Sequence, residues 1–562
     1  MKYMTSLLIF FSFLCITSSC DNDDDKETIQ SSQTVYYNGK IYTVNPEEAW
    51  AEAVVVNDSK ITFVGSTIEA FNFADAGAKQ IDLEGALMLP GIHDVHMHPL
   101  EASSTNFKFT LDDTETNPEN YITSIKAASN QNPGNDWLLG YGHSLFSLLE
   151  SARLPIEILD DVSTTRPIAI MEQTSHSIWC NSKALEVLGI NNSTPNPQGG
   201  AYLKNEAGNL TGILLDNAGE IVLEQALAPT ITKLENDYQG LIQYGLPELA
   251  KHGITSIAEA RTYWKRKYHE VWQRIEREGR LTARVNLGLW IYPKDNDIDQ
   301  IASIKALYSN KLDKLLKISQ IKLYSDGIIP NTTAALETDY LFDIIGANTN
   351  NGLNYITQDR IASLIRELEP IGFDFHIHAI GNRGITETLN AIEQSGTIAG
   401  RHRITHLEVM SPSDYSRFSQ LNVTADCQVA GDFTNPSNWS ELNEIIGSEH
   451  SQHVVPLKSL TDANARLTLS SDWDVSTLNP FVGIQNAVTR APENITLEQA
   501  IAGYTINGAY TMRQEDKVGS IEVGKQADLI VLNQDIFTIS PNQIKNTKVD
   551  LTIFNGEIIY RR

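Results

Sequence analysis

Apolar positions in the second half of the chain repeat with two periods in turn. Ile361, Leu364, Ile365 and Leu368 stand at i, i+3, i+4 and i+7, which places them on one stripe of a helix. Pro370 and Gly372 close that stripe, since neither continues a helix readily. Residues 373–378 then read as a strand, Ile385, Leu389 and Ile392 mark the next helix, and Arg403–His406 the next strand. Alternation of this kind predicts a parallel α/β protein. The two ends differ. Residues 36–42 carry Asn38-Gly39, a hairpin signal, and apolar runs at 54–56 and 61–64 flank a turn at Asn57-Asp58-Ser59. Residues 518–523, 528–532 and 551–560 are strand-like as well, the last with a turn at Asn555-Gly556. β character at both ends of a long α/β run predicts a (β/α)8 TIM-like barrel over residues 90–514. A small β-sandwich built from both termini, 34–89 and 515–562, would sit on one side of it. The middle span is long enough for such a barrel with insertions.

With 562 residues, 41% of them apolar and 20% charged, the chain can bury a large core and is not a disordered polymer. The formal charge is −27; without residues 1–19, whose only charge is Lys2, it is −27 − 1 = −28. Such a surface repels nucleic acid. The chain also lacks a basic stripe and zinc-finger spacing, which excludes nucleic acid as the expected partner.

At the N-terminus, Lys2, an apolar run over 7–16, and Thr17, Ser18 and Ser19 before Cys20 have the layout of an export signal. The apolar run is too short for a membrane-spanning helix. The arrangement resembles a bacterial lipoprotein signal, with Thr17 where a leucine is usual, and implies that Cys20 becomes the lipidated first residue. The charged run 21–26 reads as a solvated tether and resembles the acidic surface-export signal of Bacteroidetes-type lipoproteins. The expected organisation is a signal peptide over 1–19 and a lipidated tether over 20–33. The expected location is outside the cytoplasm, anchored by lipid alone to a bacterial outer membrane. Of the four cysteines, Cys15 and Cys20 belong to the signal; Cys180 and Cys427 cannot build a disulfide framework or a cysteine metal site and read as small buried residues.

The strongest chemical signal is Leu89-Pro90-Gly91-Ile92-His93-Asp94-Val95-His96-Met97-His98-Pro99. In a strand, His96 and His98 point to one face, two imidazoles side by side as metal ligation requires. Further along stand Ile321-Lys322-Leu323-Tyr324-Ser325-Asp326-Gly327, His376-Ile377-His378-Ala379-Ile380-Gly381-Asn382-Arg383, Arg403-Ile404-Thr405-His406 and Ser470-Ser471-Asp472. Five separated motifs in this order resemble the amidohydrolase superfamily, in its YtcJ-like branch, which includes N-substituted formamide deformylases. The resemblance extends through 212–214, 253–256 and 518–529 and covers nearly the whole mature chain.

That resemblance implies a (β/α)8 barrel hydrolase with a divalent metal, zinc by preference, one or two ions per chain. His96, His98 and Asp472 would hold one ion, and His378 and His406 the other. Lys322 would bridge them as a carbamate, because an ammonium cannot ligate a cation whereas CO2 addition makes an anionic two-oxygen bridge. Asp472 would also be the catalytic proton shuttle. His176, in Ser175-His176-Ser177, together with Asp326 and His376, is expected near the substrate. His93, His143 and His252 match no ligand motif and read as core or surface residues. The implied substrate is a small amide, N-acyl or N-formyl, with a lactone or other ester as the alternative; a homo-oligomer is compatible with the reading. A catalytically silent ligand-capturing lipoprotein is the rival, but a binder would not need all six ligands. Asn382 where the family has aspartate, Glu259 after Ala258 where a His-Asp pair is common, and Val429 for proline after Gln428 remove no ligand and bear on substrate identity.

Acylation of Cys20 is directly testable. The wild-type protein should partition into detergent, and Cys20→Ser should move to the aqueous phase; identical partitioning of the two would contradict the lipid anchor.

Overall fold

The computed structural model describes residues 31–562 apart from 113, 135, 312, 347–349, 397–398, 432–434 and 436–438. Cys20, the signal segment and most of the tether lie outside the described residues.

Eight parallel strands form the central sheet: β1 (Ile92–Met97), β2 (Ile254–Thr262), β3 (Arg284–Trp290), β4 (Leu316–Tyr324), β5 (Asp374–Ala379), β6 (Arg403–His406), β7 (Thr424–Gln428) and β8 (Arg466–Ser470). Neighbours in sequence are neighbours in the sheet from β1 round to β8. The seam between β8 and β1 is joined just beyond the strand ends. Asp472 N–H donates to His96 O at 2.8 Å and His98 N–H to Trp473 O at 2.6 Å. The Asp94 carboxylate accepts from Ser471 N–H at 3.1 Å. The result is a nearly closed TIM-like barrel whose strands are buried apart from the half-buried Arg284 and Arg466 at the starts of β3 and β8, as parallel strands covered by helices must be.

Local reasons for the elements are visible where periodicity predicted them. The helix Gln358–Leu368 buries Ile361, Leu364, Ile365 and Leu368. A short 3-10 turn, Glu369–Ile371, follows, and Gly372 takes the left-handed conformation at φ 112 before β5. Helix Asn382–Ser395 buries Ile385, Leu389 and Ile392.

Both chain ends contribute to two further sheets. One, of four strands, runs Lys60–Gly65, Ala53–Asn57, Gln33–Tyr37, Lys79–Asp82. The other, of six, runs Glu557–Arg561, Val549–Phe554, Leu529–Leu532, Leu87–Pro90, Lys40–Tyr42, Trp50–Ala51. Tyr36, Val54, Ile61, Met88, Leu529 and Ile553 share one core between them. The Asn57-to-Ser59 and Asn555-Gly556 turns close hairpins as expected, with Asn57 opposite Lys60 and Phe554 opposite Glu557. Two expectations fail here. Asn38-Gly39 does not close a hairpin: Asn38 has the expected positive φ of 54, but the strands it joins belong to different sheets, so the turn carries the chain across. Residues 518–523 form turns rather than a strand. Gly519 and Gly524 at φ 93 and 94 bend the backbone, and Ile521 N–H instead reaches Thr43 O at 2.8 Å.

Between β1 and β2 lies a second six-stranded sheet that periodicity did not single out, with strands within residues 109–216. Alternation explains it. Leu138, Ile168, Ile170, Trp179, Ile213 and Leu215 form one core, while Leu139, Ala169, Met171, Ile178, Cys180 and Leu214 form another on the opposite face.

The terminal sheets are tied to the barrel by an ion pair, Arg284 Nε to Asp528 Oδ2 at 2.9 Å, with the Asp528 side chain 1% exposed. Asp528 also accepts from Asn555 N–H at 2.8 Å. Asp528→Ala leaves a largely buried guanidinium without its anion and should cost about 3 kcal/mol, seen as a lower urea midpoint; an unchanged midpoint would show that the pair does not hold the units together.

Candidate active site

Strand ends assemble the site. His96 lies in β1, and His98 falls one residue beyond it, where it begins the helix Pro99–Ser103; the expected pair on one strand face is therefore a strand residue and a cap residue. Their rings are 5.4 Å apart and nearly perpendicular. Register sets Lys322 on β4 beside His376 on β5, and Tyr324 beside His378; His406 ends β6 opposite Ala379. Asp472 follows β8. His406 and Asp472 both have positive φ, 79 and 55. Non-glycine residues held this way at the C-terminal mouth of a barrel stand where catalytic groups of this fold gather.

Side chains converge tightly. Asp472 Oδ1 is 3.1 Å from His98 Nε2 and 3.3 Å from His96 Nε2. Lys322 Nζ is 3.4 Å from His96 Nε2. The His378 ring lies 4.4 Å from that of His406, which is 4.9 Å from that of His96. Tyr324 stacks on His378 at 4.2 Å, and its hydroxyl accepts from Arg261 at 2.9 Å. His378 Nε2–H donates to Gly327 O at 3.0 Å, which leaves a lone pair on Nδ1, buried and without a partner.

Burial decides the protonation of this group. It drives Lys322 well below the usual lysine range and His376, His378 and His406 well below the usual imidazole range. It also lowers His98 to about 4. Burial alone would raise Asp472, but the adjacent His96 and His98 hold its carboxyl well below the ordinary carboxylate value. The site gathers nitrogen bases around one carboxylate.

A wall of polar groups behind the cluster aims it. His96 Nδ1 lies 2.7 Å from Thr405 Oγ1, whose hydroxyl donates to Asp426 Oδ2 at 2.9 Å; the Nε2 edge of the ring faces Asp472. Asp426 also accepts from Thr468, Ser470 and Gln428. His376 Nε2 is 3.0 Å from His96 Nδ1, and Arg403 donates to His376 Nδ1 at 2.7 Å, to Val95 O and to Gln320. Asp426 and Arg403 were absent from the sequence-based site. Asp426 and Gln428 alternating with Ala425 and Cys427 in a buried strand was the available signal, since such polar alternation marks an inward face with work for it to do.

Of the residues expected near the substrate, His376 sits behind His96 rather than in front of it. Asp326 is corrected outright. Both of its oxygens accept backbone N–H groups, from Ala335 at 2.8 Å, Ile380 at 3.0 Å and Gly381 at 2.8 Å, so it pins loops, and it is fully buried. His176 reaches the mouth from the insertion, 5.4 Å from the His378 ring. Cys180 and Cys427 are buried and free, as expected.

The residues fit a divalent metal. Among the described residues, two groups of three donor atoms lie within 4.8 Å of one another: His96, His98, Asp472 and His96, His376, Asp426. The second is already satisfied by the hydrogen bonds just described. The first brings two imidazole nitrogens and a carboxylate to one point, a ligand set that suits a cation. His378 and His406 bring two more imidazoles. Asp426→Asn should keep the fold while weakening metal retention against a chelator by about 10- to 100-fold, the usual effect of removing a group that orients a ligand; equal retention would show that the wall behind His96 does not set its affinity.

Comparison with known proteins agrees with this geometry. A family model, Amidohydro_3, described as the amidohydrolase family, matches residues 79–560. YtcJ of Bacillus subtilis (strain 168) is 26% identical over 558 residues, covering 94% of this chain and 100% of the relative. The N-substituted formamide deformylase of Arthrobacter pascens is 24% identical over 566 residues, 95% of this chain and 99% of the relative. In fold, an uncharacterized metal-dependent hydrolase from Pyrococcus horikoshii OT3 aligns with TM-score 0.70 at 23% identity, over 91% of this chain and 99% of that one. The zinc-complexed atrazine chlorohydrolase TrzN from Arthrobacter aurescens TC1 aligns with TM-score 0.53 at 12% identity, over 94% and 95%. With the barrel, the histidine and aspartate donors at its mouth and a family match over most of its length, the chain belongs to the amidohydrolase family and is a metal-dependent hydrolase.

Proposed function

We propose that the chain hydrolyses the C–N bond of a small N-acyl or N-formyl amide at a zinc site held by His96, His98 and Asp472. The observation that carries this reading is the contact of one Asp472 oxygen with both imidazoles, at 3.1 and 3.3 Å, in a buried pocket of histidines. A divalent cation bound there supplies Lewis acidity, polarising a carbonyl and lowering the pKa of bound water to about 7. The deformylase relative supports the choice of an amide.

Asp472 has a second oxygen, Oδ2, with no hydrogen-bond partner among the described residues, and its side chain is 13% exposed. That oxygen can take the proton of the attacking water and return it to the leaving nitrogen. An amine departs only when protonated, so a retained carboxylate beside the donors suits an amide. Lys322, held as a neutral amine by burial, is the form that adds CO2. The resulting carbamate would carry the metal site across to His378 and His406, which supply two imidazoles and lack a bridging anion. Arg261 and Tyr324 keep the far wall in place through their 2.9 Å hydrogen bond. Export and lipid anchoring through Cys20 belong to the same reading, supported by the small-residue run that precedes that cysteine.

Asp472→Asn should fold and retain most of its metal while turnover of an N-formyl or N-acyl amide falls by roughly 100-fold or more. Near-normal turnover in a folded, metal-loaded Asp472→Asn protein would remove Asp472 from the proton path. Assay of the wild type on matched amides, lactones and esters with zinc or manganese separates the substrate classes: ester cleavage without amide cleavage would overturn the amide reading.

A further inference from the structure

At the end of the barrel away from the metal-ligand cluster, the starts of β3 and β4 and the segment after the helix Ile506–Thr511 border a small cleft. Arg284 and Asn286 of β3, Lys314 just before β4, Lys317 within it, and Gln514 and Lys517 line this cleft, and among the described residues no carboxylate does. Lys317 lies opposite Asn286 in the strand register. The step along β4 from Lys317 to Lys322 at the mouth is roughly 17 Å. On the remaining side a hydrogen-bonded turn forms the wall: Gln514 N–H donates to Ala509 O at 2.9 Å, and Lys517 N–H and Val518 N–H donate to Gln514 O at 2.9 and 3.0 Å.

Lys317 sets this cleft apart from an ordinary patch of surface lysines. It keeps only 8% of its surface, lines the cleft, and its amine makes no hydrogen bond or ion pair among the described residues. The carboxylates around it are committed elsewhere: Asp528 to Arg284 at 2.9 Å, Asp374 to Arg513 at 2.7 Å and Glu515 to Arg401 at 2.7 Å. The chain has 70 acidic residues against 43 basic ones, yet none stands against this amine, and a buried ammonium without an anion is costly. Burial, with the positive charges of Lys517, Arg284 and Arg513, holds the amine below the usual lysine range, and Glu515 acts the other way.

Asn286 adds a neutral donor. Its Oδ1 accepts from Ser319, from the N–H at 3.2 Å and the hydroxyl at 3.1 Å. A backbone N–H can only donate, so the amide oxygen is the atom on that side and the Nδ2 hydrogens remain, without a partner among the described residues. The cleft has a volume of about 20 Å3, a little more than one water molecule needs. It therefore takes one small ion, or the head of a larger molecule, rather than a whole organic ligand. Several cations and an amide donor around one point suit an anion with several acceptor oxygens.

We infer that this cleft is a binding site for a small oxyanion of the phosphate type, held by Lys317 and Asn286 within a rim of Arg284, Lys314 and Lys517. Bound there, the anion ties β3, β4 and residues 512–517 together at the N-terminal end of the barrel. It stabilises the folded chain by mass action and takes no part in the chemistry at the mouth, so the inference is independent of which bond is cleaved there.

The test is isothermal calorimetry of the metal-loaded full chain with inorganic phosphate, at constant ionic strength in chloride. The wild type should bind phosphate saturably, and Lys317→Met should weaken that binding by at least about tenfold, the worth of one hydrogen bond from a charged donor. Phosphate held by the metal would be untouched by Lys317→Met, and turnover without phosphate should be equal in the two proteins. Thermal melts give a readout apart from binding heat. Without phosphate, Lys317→Met should melt no lower than the wild type, because it removes a buried charge that has no anion. With phosphate, the wild type should gain more than the variant, whose gain is the general effect of the salt alone. Lys314→Gln, a change at an exposed rim position that spares the fold, should weaken binding by a smaller factor and carries the same test if Lys317→Met does not fold. Displacement of bound phosphate by phosphatidylglycerol vesicles, and not by phosphatidylcholine vesicles, would identify a lipid headgroup as the source of the anion; no displacement would identify the free ion. A wild type that binds no phosphate, or equal affinity in the wild type and in the folded variants, would overturn the inference.

Discussion

Burial of many nitrogen bases around one carboxylate, Asp472, governs this structure. Five imidazoles, from His96, His98, His376, His378 and His406, and the amine of Lys322 are almost completely removed from water at one end of the barrel. Charging His98, His376, His378, His406 or Lys322 there would cost far more than in solvent. Desolvation strips His98, His376, His378, His406 and Lys322 of their protons and leaves Asp472 as the anion among them. The cluster brings several bases to one carboxylate, whereas its neighbour around Asp426 is closed by hydroxyl and amide donors. A cation is the partner that such a set lacks.

The rest of the fold keeps those lone pairs aimed. Hydrogen bonds across the β8 to β1 seam place Asp472 against His96, so the step that closes the barrel also completes the donor group. Thr405 and Asp426 hold the far nitrogen of His96, and Arg403 stands behind His376. These contacts fix ring orientation, which sets metal affinity nearly as much as ligand identity does. The insertion then adds a roof through His176 and Asp216. The terminal sheets, joined to β3 through Arg284 and Asp528, support the opposite side of the molecule.

Much of this was legible in residue order. The alternation around residues 358–406 located consecutive barrel elements to within a residue or two, because each helix buries one apolar stripe and each strand is too short to be anything else. His96, His98, Lys322, His378, His406 and Asp472 came from motifs, and the strand registers bring those residues together. What remained hidden depends on long-range geometry. Asn38-Gly39 has the dihedral angles of a hairpin turn, but no local property says that its two strands join different sheets. Residues 518–523 are apolar enough for a strand, yet their N–H groups find partners on other segments. Asp326 looked exposed to substrate, and its role became clear only when three distant backbone N–H groups closed on it.

The central claim, that desolvated donors at the barrel mouth form a cation site, is tested most directly by anomalous diffraction from crystals of the zinc-supplemented protein. The account predicts an anomalous peak at the zinc edge within bonding distance of His96 Nε2, His98 Nε2 and an Asp472 oxygen, lost in a His96→Ala, His98→Ala double variant. A fully supplemented crystal with no peak among those three residues would contradict it.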